Sequence, residues 1–158
     1  MQYDIQPMRK IVIPNEILFA EVERQVSEGC NAEIFAKGNS MRPFIRSDRT
    51  RICLSPCDTS LLQPGDVVLF RYRGHHVMHR IINRNGDEFV LAGDGNCGQI
   101  EHCTSEDIVA RLTSVITKRG KIIGCDTRLW RSASALWVGL PLFVRRCLLG
   151  VMWRIGIR

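Results

Sequence analysis

The spacing of apolar positions changes near residue 30. Over 14–28, Ile17, Leu18, Val22 and Val26 recur at helical spacing. Pro14 suits a first-turn position and Gly29 ends the segment. One leading helix is expected there. Residues 33–37 then alternate like a short strand, and beyond Pro43 the period is two. Thr50, Ile52 and Leu54 alternate with Arg49, Arg51 and Cys53. Pro64-Gly65-Asp66 is a turn signal before the apolar run Val67-Val68-Leu69-Phe70. Arg73-Gly74 turns the chain into a strand over 76–83. Asn85-Gly86-Asp87 joins that strand to a second at 88–92 as a hairpin. Residues 108–117 and 121–125 form a further hairpin around Arg119-Gly120. The pattern predicts a mainly β domain with one N-terminal helix. Residues 1–127 are expected to form the domain, with its β core over about 33–125.

Residues 128–158 read differently. The stretch 132–144 carries no charge, but Pro141 interrupts it and Arg145-Arg146 follow. Two arginines near a bilayer centre would cost about 2.5–3.5 kcal/mol each. No clear transmembrane span is therefore expected. The segment reads as an amphipathic helical tail containing Trp130, Trp137 and Trp153. Two placements stay open: an interfacial helix on a membrane surface, or a helix packed on the domain or on a partner. Residues 1–14 lack the apolar run of a signal peptide. The expected location is cytoplasmic or peripheral on a membrane.

Charge sharpens the division. The 158 residues hold 22 Lys and Arg against 16 Asp and Glu, a formal net charge of +6. Residues 1–127 balance; the whole excess lies in Arg128, Arg131, Arg145, Arg146, Arg154 and Arg158. A nucleic-acid-binding domain should carry its basic residues on the domain itself, so no nucleic-acid partner is expected. The seven cysteines, at 30, 53, 57, 97, 103, 125 and 147, contain no CxxC pair. They read as buried or free thiols in a reducing compartment, and no metal or cofactor is expected.

Two segments carry candidate chemistry. Gly38-Asn39-Ser40-Met41-Arg42-Pro43 places a serine on a glycine-led turn closed by proline. Val77-Met78-His79-Arg80-Ile81-Ile82 places a histidine on a strand. Serine needs a positioned base to become a nucleophile. Val77, His79 and Ile81 share one strand face, and His76, Met78, Arg80 and Ile82 the other. Between two β-branched neighbours His79 should be at least half buried, which keeps the imidazole neutral and able to accept a proton. The turn could also aim the Ser40 N–H at a developing oxyanion. Gly93-Asp94-Gly95-Asn96 supplies a carboxylate to orient the imidazole. Asp94 is the expected orienting group, with Glu101 as the weaker substitute. Asp48 and Asp66 read as structural.

Taken in order, these segments resemble the signal peptidase I and LexA-like clan of serine peptidases. Gly38 to Pro43 is similar to the nucleophile box, Pro64-Gly65-Asp66-Val67-Val68 to the Gly-Asp strand opening, Val77 to Ile82 to the general-base strand, and Gly93 to Asn96 to the Gly-Asp-Asn segment. The match covers about residues 33–118. Histidine rather than lysine as the base is similar to the endoplasmic-reticulum and archaeal signal peptidases. The resemblance implies a compact LexA/signal-peptidase-like β fold and serine endopeptidase activity. Ser40 would be the nucleophile, His79 the general base and Asp94 the acidic partner. The expected substrate is a leader, signal or precursor peptide lying along an exposed strand edge. Two other readings stay open. A self-cleaving phage-repressor-like regulator would use lysine, and one helix before Ser40 is less than a helix-turn-helix module needs. A non-catalytic binding module could retain the fold.

Overall fold

The structure, a computed structural model, describes residues 13–47, 50–96 and 98–155. The expectations that concern residues 1–12, Asp48, Arg49, Cys97 and Arg158 fall outside the described residues.

An eight-stranded antiparallel sheet carries one N-terminal and two C-terminal helices. Helix α1 (Asn15–Ser27) buries Val22 against the sheet, with Phe19 and Val26 packed beside it. The strands are β1 (Ala32–Phe35), β2 (Arg51–Ser55), β3 (Val67–Tyr72), β4 (His75–Asn85), β5 (Glu88–Ala92), β6 (Glu101–Thr104), β7 (Ile108–Ile116) and β8 (Ile122–Gly124). Their spatial order is β1-β2-β7-β3-β4-β5-β6, and β8 pairs with β7. The Arg73-Gly74 and Asn85-Gly86 turns make β3, β4 and β5 consecutive hairpins.

The apolar run of β3 sits at the centre. Val67 and Leu69 enter one hydrophobic cluster with Leu54, Ala110 and Leu112; Val68 and Phe70 enter a second with Ile81, Phe89 and Leu91. A strand covered on both faces needs apolar residues at every position, which explains a run without alternation. Met78 packs on the first cluster and Val77 on the second, as the alternation of β4 requires.

Two features depart from the sequence reading. Strand β6 was not expected; it adds the sheet's outer strand by pairing Leu91 with Glu101 and Glu88 with Thr104. The tail is also two helices rather than one. Pro141 excludes its preceding residue from helical geometry, so α2 (Arg128–Gly139) and α3 (Leu142–Arg154) meet at a bend of 115°. Helix α2 packs on the domain. Trp130, Ser134 and Trp137, spaced at i, i+4 and i+7, form its buried stripe. Among the described residues no single helix is long and apolar enough to cross a membrane.

Candidate active site

After β1 the chain turns at Gly38, whose φ of +84° would strain a side chain. Gly38 N–H donates to Ser47 Oγ at 3.2 Å. Arg42 N–H donates to the Asn39 carbonyl at 3.2 Å and Ile45 N–H to the Met41 carbonyl at 2.9 Å. Met41 and Ile45 anchor this turn in the first cluster, each burial worth roughly 1.5–3 kcal/mol. Ser40 is left half-buried.

The connection from β5 to β6 closes on the same turn. Gly95 N–H donates to the Ser40 carbonyl at 2.7 Å. A Cβ on Gly95 would come 2.5 Å from the Asn39 carbonyl oxygen. A Cβ on Gly93 would come 2.6 Å from the Ser40 carbonyl oxygen and 3.0 Å from His79 Nε2. Both glycines are thus required by close backbone approach. The Gly93 contacts also locate the site, because the Ser40 backbone and His79 Nε2 converge on one point.

His79 pairs with Val68 across the β3–β4 hairpin and is 4% exposed. Its ring centroid is 6.2 Å from that of Phe70. Its Nδ1 is 2.8 Å from Glu101 Oε2, and Glu101 is 2% exposed. An ionised carboxylate only accepts. A proton on Nδ1 fits the contact, and in that neutral tautomer the lone pair lies on Nε2, the nitrogen facing the Ser40 turn. No hydrogen bond joins Ser40 Oγ to His79 among the described residues; free enzymes often hold such pairs looser than their complexes do.

Register explains how Glu101 arrives. Ile81 pairs with Leu91, and Leu91 with Glu101, in one row across three strands. His79 lies two positions along β4 from that row, on the Ile81 face. The β4–β5 pairing stops at Arg80 and Ala92, so the side-chain-free Gly93 follows next to His79.

The structure corrects the expected role of Asp94. Its carboxylate is taken by Arg80, with Nε to Oδ1 at 2.8 Å and Nη2 to Oδ2 at 2.7 Å. Arg80 is 0% exposed. Its Nη1 also donates to the Gly65 carbonyl at 2.8 Å and to Ser134 Oγ at 2.9 Å. The guanidinium lies over Phe44, 4.8 Å from the ring centroid, and 5.9 Å from that of Trp130. Trp137 Nε1 donates to the Asp94 carbonyl at 3.0 Å. Burial pushes the Asp94 carboxyl up from its ordinary value, and the Arg80 guanidinium opposes that shift. Asp94 thus braces the site through Arg80, while Glu101 holds the histidine. Asp66 is structural: it accepts from Gln63 N–H at 2.8 Å and pairs with Arg131 at 3.1 Å.

Sequence reasoning did not single out Arg80 or Ser134, and it read Trp130 and Trp137 with Trp153 as part of a tail helix; Trp130 and Trp137 are instead buried against the domain. Ser134 and Trp137 had a signal in the helical stripe of α2. Arg80 had none, since an arginine in a strand ordinarily faces solvent.

A cleft of about 210 Å³ opens beside Ser40, lined among others by Ile34, Ala36, Met41, Val77 and Met78. His79 does not line it. Among the described residues, strand β1 pairs only with β2, and residues 75–79 of β4 only with β3. Each therefore has an edge unpaired among the described residues, and residues of both strands line the cleft. Among the described residues, no group of three or more His, Cys, Asp or Glu is arranged to hold a metal ion. Compared with models of protein families the chain has no match, and compared with curated proteins it has none either.

Proposed function

We propose that the protein is a serine endopeptidase with the fold and chemistry of the signal peptidase I and LexA-like clan, acting on a leader, signal or precursor peptide. One observation carries the reading. A buried histidine has its Nδ1 engaged by a buried carboxylate, and its Nε2 faces a serine-bearing turn across a glycine that admits no side chain.

In this reading Ser40 Oγ attacks the scissile carbonyl and His79 Nε2 takes the Oγ proton. Glu101 stabilises the imidazolium that forms, without itself being protonated. The Ser40 N–H faces the tetrahedral oxyanion, a contact of a kind worth about 3 kcal/mol. The C–N bond breaks as Nε2–H protonates the leaving amine. Water, deprotonated by His79, then releases the acyl group and restores Ser40. The peptide binds extended in the cleft, adding to the unpaired edges of β1 and β4.

The test is covalent. A fluorophosphonate probe should label the folded wild-type protein at Ser40, located by peptide mapping. Ser40→Ala should take no label there and His79→Ala should react at least about a hundredfold more slowly. Label on another residue at an unchanged rate in Ser40→Ala would remove the assignment. A folded protein that neither labels nor cleaves would be a binding module.

A further inference from the structure

We propose that helix α1 is the specificity element of the cleft beside Ser40, its Phe19 ring limiting the size of the side chain admitted there. The inference rests on the proposed reading only in that the cleft takes a peptide. Asn15, Leu18 and Phe19, at i, i+3 and i+4, present one face of α1 to the cleft that Ser40 and residues 76–78 of β4 also line. Val22 and Val26 continue that stripe into the first hydrophobic cluster. The second half of the helix is thus anchored in the core while the first half walls the cleft. The buried Ile52, Leu54 and Leu69 line it as well. Its volume of about 210 Å³ is smaller than the roughly 300–1,000 Å³ of pockets that enclose whole small molecules. Size and apolar lining suit one side chain of an extended peptide.

Phe19 is held at this wall by a second set of contacts. Its ring stacks on His76, with centroids 4.8 Å apart and planes 19° from parallel. One turn further along α1, Glu23 reaches the same histidine. Glu23 Oε1 is 2.7 Å from His76 Nε2 and accepts from Arg71 Nε at 2.9 Å. Arg71 and His76 face each other across the β3–β4 hairpin, so one carboxylate ties α1 to both strands in a single row. A ring held in this way does not swing aside for a bulky residue. Forcing a larger group against a fixed wall costs strain, which is how a cleft rejects the larger of two apolar side chains. Glu23 is thereby a positioning residue for Phe19.

Binding is measured apart from chemistry in the full-length Ser40→Ala protein, which keeps the cleft without the nucleophile. The probes are fluorescently labelled peptides in which each position in turn carries Ala, Val, Leu, Phe or Trp, read by anisotropy. At one position the aliphatic peptides should bind at least about tenfold more tightly than those with Phe or Trp. Adding Phe19→Ala should remove or reverse that preference. Phe19→Leu, which keeps an apolar group on the first cluster, should leave it intermediate. Glu23→Ala should relax the ratio by up to about fivefold, the scale of a partly exposed ion pair. A merely structural role for Glu23 would lower all affinities together and leave the ratio unchanged. The same preference with and without a folded Phe19→Ala or Phe19→Leu would overturn the proposal, as would binding of no peptide. Peptides that bind with the expected preference but are not cleaved by the wild type would sustain this inference and remove the peptidase reading.

Discussion

Replacing Glu101 by glutamine isolates the electrostatic role assigned to that residue. The carboxamide has the shape of the carboxylate, and its oxygen can still accept from His79 Nδ1 at the observed 2.8 Å. What disappears is the negative charge beside the imidazolium that forms in the transition state. Two unit charges about 4 Å apart, at an effective dielectric near 20, attract by about 4 kcal/mol. Each 1.36 kcal/mol is a factor of ten in rate, so kcat should fall about a thousandfold. The value lies below the roughly 10⁴ lost when the aspartate of a Ser-His-Asp triad becomes asparagine. The substrate does not touch Glu101 in this reading, so KM should change little. Among the described residues Glu101 makes no other side-chain hydrogen bond or ion pair, and the melting temperature should move by only a few degrees. The assay is cleavage of an internally quenched peptide library by purified variants, with a thermal melt on the same samples. A wild-type kcat in Glu101→Gln would refute the reasoning. So would a folded Asp94→Asn that lost kcat a thousandfold at unchanged stability, since that would return the orienting role to Asp94.

Asp94→Asn should instead cost stability, about 3–5 kcal/mol in urea unfolding, because it leaves the buried Arg80 guanidinium without its counter-charge. Gly93→Ala should lower kcat by about 10² through displacement of the Ser40 carbonyl or His79. Gly150→Ala, on the exposed side of α3 with nothing within 4 Å, should raise stability by up to about 1 kcal/mol and leave kcat alone. Exposed Cys30 and Cys147 should react quickly with a thiol reagent and buried Cys103 and Cys125 slowly, as read by mass spectrometry of timed aliquots. Burial pushes the Cys103 and Cys125 thiols from 9.0 up to about 12. The unfolded chain therefore loses these protons first as pH rises. The stability they contribute is complete below pH 9 and is lost between 9 and 12. Alkaline thermal melts should show that decline, and Cys103→Ala should reduce its slope.

Much of the sheet was legible because strands announce themselves locally. Asn85-Gly86 and Pro64-Gly65 punctuate the chain, and the run Val67 to Phe70 marks a strand covered on both faces. Ser40 and His79 were legible as residue types on the right elements. The partner of His79 was not, since Asp94 and Glu101 both follow β5 closely and local chemistry does not rank them. The choice depends on register across β4, β5 and β6, and β6 is a four-residue strand with a charged residue and a histidine in it. The buried Arg80 was hidden for a related reason. Its burial is stabilised by Asp94, Phe44, Ser134 and Trp130, which come from three distant parts of the chain. The tail's charge set residues 128–158 apart in the sequence, and it concealed that the α2 half is packed through Trp130, Ser134 and Trp137.

The central claim is that Ser40 and His79 act together on a peptide bond. It is tested most directly by incubating purified wild-type protein, Ser40→Ala and His79→Ala with one internally quenched peptide library and comparing cleavage rates. Cleavage by the wild type, with each folded variant slower by at least about a thousandfold, is the predicted result. Cleavage at the wild-type rate in either variant would contradict it.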